Sequence, residues 1–378
     1  ASLNEELNQY LAKEYGVDIK KKKDYEKWLT SHQPFHWFTE FYSIINNGGF
    51  DVIIGNPPYV EYNQVKKDYE IKNSEINTGG NLHTFVASLC LNLLKNKSSL
   101  GFIVPVAIAN TQRMEEIRNK INNNGLLYIS HYAIRPSKLF SGAEQRLSIY
   151  ILIKDSKINQ NKILYTSKYH KWNKDERDYI FNLLHFTTYK YTESNIWVKI
   201  SNETALSIIN KVNSASATVS QYISGDNPIY YKNTGIGYYI TTTLKPPICY
   251  INGQKTSSSR ETIICFPEQK VKNIFHCLFS SSLFFLYYQS YSNCRDLNPS
   301  DLLNFKLPKS ILLEEKLINL SVKLQKSLDK TSWMQKRKQK QTGEVEIQSF
   351  TASLSKPIID EIDKVLAQHY GFSDEELD

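Results

Sequence analysis

Asn56-Pro57-Pro58-Tyr59 is where this sequence sets polar acceptors beside an aromatic face. The two prolines fix their own φ angles and remove two backbone donors. What remains to meet a ligand is the Asn56 amide oxygen, main-chain carbonyls and the Tyr59 ring. That set suits a planar amino group carried on a ring: acceptors for its two protons and a π-face for the ring itself. An ordinary Asn-Pro breaker after a strand is the plain alternative, since such turns are common.

The tetrapeptide must be held by what precedes it. Phe50-Asp51-Val52-Ile53-Ile54-Gly55 predicts a buried strand closed by a Gly/Pro breaker. Open α/β sheets place their sites at the carboxyl ends of strands. Asp51 reads as a residue that ends the strand and binds nearby backbone, not as a catalytic group. Residues 3–45 read as helical, with a solvated run from Lys20 to Lys23. Residues 61–80, ending in Asn77-Thr78-Gly79-Gly80, read as a long mobile loop. Leu82, Phe85, Val86, Leu89, Leu93 and Leu94 then share one helical face.

Further strands are predicted at 100–104, 126–132 and 147–153, with a charged helix over 112–124. Strands alternating with helices indicate an α/β fold with a largely parallel sheet; the last two, with no helix between them, indicate an antiparallel ending. Residues 155–200 read as a polar, aromatic-rich connection. Residues 218–310 carry many short strand-like runs and few helical patterns. A helix start is written at Asn298-Pro299-Ser300-Asp301. Helices are predicted over 312–330 and 356–369, with a polar loop over 335–349.

A chain of 378 residues suggests two or three domains, and 41% hydrophobic content supports real cores. The net charge is +8. It is concentrated early: residues 1–174 hold 23 basic against 16 acidic side chains, and residues 175–310 hold 13 against 10. Residues 311–378 hold 10 against 12. A basic first two-thirds is compatible with a polyanionic partner. Five cysteines without a CxxC spacing suggest neither a metal site nor a disulfide framework. Cys90 and Cys277 read as buried small hydrophobes. The polar opening does not read as a signal peptide, and the most apolar run, 282–288, is too short to span a bilayer. A soluble, cytoplasmic protein is expected.

Residues 50–59 as a whole resemble motif IV of the amino-group DNA methyltransferases, in the N6-adenine form. Pro34-Phe35-His36-Trp37-Phe38 is similar to the lead-in of type IIG restriction–modification enzymes. Leu100-Gly101-Phe102-Ile103-Val104-Pro105 resembles their motif VI. Lys138-Leu139-Phe140-Ser141-Gly142-Ala143-Glu144-Gln145-Arg146 resembles the segment that carries motif VIII. Residues 278–285 and 292–298 resemble a target recognition domain, and 369–377 the family's C-terminal helix ending. The resemblance implies an adenine-specific DNA methyltransferase of a restriction–modification system, acting on double-stranded DNA with S-adenosyl-L-methionine. The target adenine would be flipped out of the stack, because its amino group is not attackable inside the duplex. Asn56 and the Pro57 carbonyl would accept the amino protons, Pro58 would hold the turn, and Tyr59 would stack on the base. Phe140 is the candidate for the opposite face, with a plain core aromatic as the equal alternative.

The implied fold is a partial Rossmann-like methyltransferase sheet over 1–174, a mostly β target recognition domain over 175–310 and a helical C-terminal segment over 311–378. The Gly-rich cofactor loop and the acidic ribose ligand of the family are not found in the sequence, so the chain reads as the C-terminal part of a longer protein. An upstream segment or polypeptide would then supply the cofactor half. Asn81 stands where the family often has an acidic residue. Glu-x-Lys pairs at Glu70/Lys72, Glu268/Lys270 and Glu314/Lys316 are too cheap a pattern to indicate a nuclease.

In the recognition region the DNA-contacting candidates are Lys232, Lys245, Lys255, Arg260 and Gln254, with Asn227 and Asn233. Arg and Asn/Gln make bidentate base contacts, while Lys mostly holds phosphates. Arg260 follows three serines in a polar loop, a good place for a groove contact. Arg295 reads as structural, ion-paired to Asp296. Tyr230, Tyr231, Tyr238 and Tyr239 flank two glycines and read either as aromatics that pack on sugar or base or, the preferred reading, as core and edge-strand aromatics. Two other functions stay open: a DNA-specificity module without activity of its own, and an RNA or protein methyltransferase.

Overall fold

Six strands make the larger sheet: Phe50–Gly55 (β1), Leu94–Pro105 (β2), Gly125–Tyr132 (β3), Leu147–Lys154 (β4), Ile163–His170 (β5) and Thr187–Lys190 (β6). Their spatial order is β1-β2-β4-β3-β5-β6. β1 runs parallel to β2 and β3 parallel to β5, while β4 is antiparallel to both β2 and β3. The expected antiparallel ending therefore lies inside the sheet, and the sheet is mixed. The computed structural model describes residues 2–68, 70, 71, 75, 76, 79–142, 144–155, 157, 163–191, 195–236 and 239–378. Lys72, Asn77, Thr78, Ala143 and Tyr238, named above, lie outside the described residues.

The two faces of this sheet differ. On one, Leu100, Leu152, Leu127 and Leu164 lie side by side in register and are almost fully buried. The helices Leu82–Leu93 and Glu115–Asn122 cover that face, contributing Ala87, Leu91, Ile117 and Ile121 to the same core. On the other face the register places Ile54, Gly101, Ile151 and Tyr128 in a row. Ile54 is 84% exposed, Val52 64% and Ile151 48%. Residues 50–55 do form the predicted strand, but it is not buried. The cause is position: β1 is an edge strand of the sheet, and among the described residues no helix packs over Val52 and Ile54. Leaving such a side chain in water forgoes about 1.5–3 kcal/mol each. The aromatic lead-in closes over the start of β1, with Trp37 and Phe41 edge-on to Phe50 at 6.1 and 5.2 Å between ring centres.

Among the described residues, the rest of the chain holds nine short strands: Ala217–Thr218 (β7), Asn227–Lys232 (β8), Thr242–Thr243 (β9), Cys249–Ile251 (β10), Gln254–Thr256 (β11), Glu261–Phe266 (β12), Lys306–Leu307 (β13), Trp333–Gln339 (β14) and Gly343–Ser349 (β15). They group as β11-β10-β15-β14, β12-β8-β9 and β13-β7. Helices Gln269–Phe279, Ser282–Tyr291, Glu315–Thr331 and Lys356–Tyr370 pack behind them around Phe275, Phe279, Phe284, Leu317, Leu324 and Ile362. Ser282–Tyr291 carries little one-sided pattern because it is buried nearly all round, and such a helix shows no polar face in sequence, whereas Gln269–Phe279 opens on Gln269, Lys270 and Lys272 and does carry one. Two further segments differ from expectation. The 155–200 connection contains β5 and β6. The 335–349 loop is a hairpin whose second strand also pairs with β10. Cys277 is buried as expected, Cys90 only partly. Among the described residues no helix is long and apolar enough to cross a membrane.

Candidate active-site loop and basic cleft

β1 delivers the chain to Gly55, where the absence of a side chain lets the Phe102 ring of β2 approach; a Cβ there would lie 3.3 Å from it. Asn56-Pro57-Pro58-Tyr59 follows without regular structure. Pro57 is buried and Tyr59 half-buried, while Asn56 and Pro58 are exposed. The Tyr59 hydroxyl donates to the Ile103 carbonyl at 2.9 Å, which ties the loop back onto β2. Burial pushes that hydroxyl up to about 12, so it stays a donor. The loop is thus held by its proline and its tyrosine, and the Asn56 amide is left facing water.

The chain beyond Tyr59 is fastened where a mobile loop was expected. Leu82 N–H donates to the Val60 carbonyl at 2.8 Å and Tyr62 N–H to the Gly80 carbonyl at 2.9 Å. A short helix, Tyr62–Val65, begins there. Glu61 receives both Arg113 guanidinium nitrogens at 2.7 Å and the Asn81 amide at 3.1 Å. The Arg113 bonds hold the Glu61 carboxyl below the usual carboxylate range. Asn81 also caps the helix Leu82–Leu93 through the His83 N–H. Asp51 pairs with Lys95 across the strand start, away from the acceptors.

His83 was missed in the sequence. It lies fully buried, edge-on to Tyr59 at 6.5 Å between ring centres. Burial pushes its imidazole down to about 4, and neither ring nitrogen finds a partner among the described residues. A neutral histidine there backs the Tyr59 ring without adding charge. Phe140 is 39% exposed on the loop between β3 and β4. The structure does not stack it against Tyr59.

The second feature is a cleft of about 630 Å³ between the β3–β5 end of the larger sheet and the C-terminal strands. Its walls carry Arg135, Arg146, Lys171, Lys232, Arg260 and Arg337, and among the described residues no carboxylate. Two of the expected DNA-contacting residues, Lys232 and Arg260, are brought together there. Burial and then the neighbouring Arg337 push the Lys232 amine down, with Glu261 opposing. The other candidates lie elsewhere. Gln254 and Lys255 are exposed on β11, and Lys245 stands 3.9 Å from Asp329. Asn227 donates to the Phe266 and Pro267 carbonyls and so holds a turn. The Asn233 side-chain oxygen is buried without a partner among the described residues. Arg295 pairs with Asp296 at 3.6 Å beside the helix Pro299–Leu303, as its sequence context suggested. Tyr231 is buried, and Tyr239 stacks on Phe285. Arg337 carries no local signal, because Gln335-Lys336-Arg337-Lys338-Gln339 is polar throughout and shows no alternation that would mark a strand.

A cradle for S-adenosylmethionine does not fit this chain as it stands. Such a cradle needs a Gly-rich turn leading from a strand into a helix. Among the described residues no such turn exists, and the strand-to-loop turn after β1 is filled by Pro57 and Pro58. No group of three potential metal-ligating side chains occurs among the described residues.

Residues 2–140 match the family model described as Eco57I restriction-modification methylase. A Methanocaldococcus jannaschii protein described as a type II restriction enzyme and methyltransferase, RM.MjaORFECS2P, is 32% identical over 152 residues, covering 40% of this chain and 13% of that protein. The type II methyltransferase M.HincII of Haemophilus influenzae is 27% identical over 146 residues, covering 36% of this chain and 28% of its own. The chain therefore spans under a third of these relatives. Among solved structures, the type IIL restriction-modification enzyme MmeI in complex with DNA aligns over 85% of this chain and 54% of its own at 8% identity, with a TM-score of 0.46.

Proposed function

We propose that this chain, with its match to restriction–modification methylases over residues 2–140, forms the base-capturing and DNA-reading part of a site-specific adenine-N6 DNA methyltransferase of type IIG character. The observation that carries the proposal is the Asn56–Tyr59 loop at the carboxyl end of β1. Its proline is buried and its tyrosine tied to β2, yet its Asn56 amide is free. A flipped adenine would present its amino group to the Asn56 oxygen and the Pro57 carbonyl. Two fixed acceptors draw on the amino protons and keep nitrogen lone-pair density available, with no general base needed. Tyr59 would stack on one face of the base; Phe140, on its exposed loop, is the residue assigned to the other.

The methyl donor would be S-adenosylmethionine, held by a segment outside this chain. Two features support that division: the missing glycine turn, and the exposed edge of β1, where a methyltransferase sheet could continue. The same features favour one second reading, a specificity module that keeps the loop but depends on another polypeptide for any activity.

The test uses the complete natural protein incubated with duplex DNA and labelled S-adenosylmethionine, with the modified nucleoside identified by mass spectrometry. N6-methyladenine is expected. Asn56→Ala should cut the rate about 10²–10³-fold, the usual cost of one preorganised polar contact to a reacting group. Duplex binding should stay nearly intact. Loss of binding equal to the loss of rate would contradict the role given to Asn56, and 5-methylcytosine as product would overturn the adenine reading.

A further inference from the structure

One wall of the basic cleft is the β14–β15 ribbon, and its two faces are segregated by charge. On one face Lys336 lies opposite Glu346 and Lys338 opposite Glu344 in register, the first pair at 2.7 Å. On the other, Gln335, Arg337 and Gln339 lie opposite Ile347, Val345 and Gly343. All three polar side chains line the cleft, where no carboxylate answers them among the described residues. A solvated hairpin has no reason to sort its side chains this way. A ribbon that presents one guanidinium between two carboxamides to a polyanion does.

The dimensions suit duplex DNA. The major groove admits a two-stranded ribbon. Alternate residues on a strand stand about 6.6–6.8 Å apart, close to two base steps of about 3.4 Å. Gln335, Arg337 and Gln339 would therefore meet edges spread over about four base steps. The ribbon is also stiffly mounted, because β15 pairs on its far side with β10. Lys232 and Arg260 are then placed in the same cleft to meet the DNA beside the ribbon.

We infer that β14–β15 is a base-reading ribbon, with Arg337 on a guanine and Gln335 and Gln339 on adenines, in the major groove of the target duplex. This rests on the reading of the chain as part of a DNA methyltransferase. It places sequence recognition beyond residue 310, in the segment whose net charge is acidic.

The 378-residue chain is used to select from a pool of randomised duplexes, and the enriched sequences are compared between variants. The wild-type chain should enrich a motif containing a guanine. Arg337→Lys keeps the charge but not the fork that grips guanine. It should hold overall affinity nearly unchanged while lowering preference at that one position roughly 10- to 100-fold. Gln335→Ala and Gln339→Ala should each relax a different position. Lys336→Ala, on the neutralised face, should leave the motif as it was. Full preference retained in Arg337→Lys, with uniform weakening over all sequences in Arg337→Ala, would overturn the assignment and leave the ribbon a phosphate clamp. A wild-type chain that binds duplex but enriches no motif overturns it too, while sparing the DNA reading. A chain that binds no duplex overturns the underlying function instead.

Discussion

The Asn56–Tyr59 loop and the basic cleft are built in opposite ways. The loop is four consecutive residues at one strand end, so the acceptors and the ring proposed to meet the base are neighbours in the sequence itself. The cleft gathers Arg135, Arg146, Lys171, Lys232, Arg260 and Arg337 from positions spread along most of the chain. None of these stands out locally, and the segment that supplies Arg337 is acidic overall, with 10 basic against 12 acidic side chains. The lesson is that a candidate site can be written contiguously, while an electrostatic surface exists only in the folded chain.

The contrast predicts that the loop controls rate and the cleft controls binding. The largest effect after Asn56 should come from Tyr59→Ala in the complete enzyme, which removes a stacking contact of about 1–3 kcal/mol. Fluorescence of 2-aminopurine at the target position should report poor capture of the flipped base, with duplex affinity little changed. An equal fall in duplex affinity would erase the division between the two regions. Tyr59→Phe is the finer probe. It deletes only the bond to the Ile103 carbonyl, about 1 kcal/mol. A defect as deep as that of Tyr59→Ala would mean that the tether, not the ring, governs the loop.

Arg260→Ala should act on the cleft side alone. A base contact would cost about 1–3 kcal/mol at one position of the methylated motif. Methylome sequencing of cells carrying the variant should show that position relaxed. An unchanged motif, with a salt slope flatter by about one, would make Arg260 a phosphate contact.

The smallest expected effect is a pH dependence. Burial pushes the Glu261 carboxyl up to about 7, with Lys232 opposite it in register. A carboxyl raised in the folded state stabilises the fold below its ordinary pKa, and that contribution is lost as pH rises through 7. The same ionisation puts a negative charge next to Lys232. Duplex binding should weaken a few-fold between pH 6 and 8, and Glu261→Gln should flatten the profile. A titration that persists in Glu261→Gln would assign it to another group.

Much of the larger sheet was legible because its strands are short apolar runs with breakers behind them, as at Gly55 and Pro105. What misled was the assumption that an apolar strand is buried on both sides. Val52 and Ile54 carry the pattern of a covered strand and stand at 64% and 84% exposure. The helix Ser282–Tyr291 escaped notice because burial nearly all round erases periodicity; Gln269–Phe279 has a well-defined apolar face and was legible but overlooked. The hairpin escaped because Lys, Arg and Gln dominate β14 and disguise a strand as a loop. Within the candidate site, Asn56 and Tyr59 are proposed from type and order alone. His83 could not be, since only folding brings a helix start against the Tyr59 ring.

The bare flank of β1 also has a consequence for how this polypeptide behaves in a test tube. An edge strand that pairs with no strand on its outer side among the described residues, with isoleucine and valine standing in water, is a template for any other extended chain. At the high concentrations of refolding or crystallisation, the nearest such chain is another copy of itself. Losses to aggregation should therefore climb steeply with protein concentration and begin at this strand. A lysine in place of Ile54 should keep the preparation clear, because a charge on an exposed edge is how natural sheets refuse unwanted neighbours.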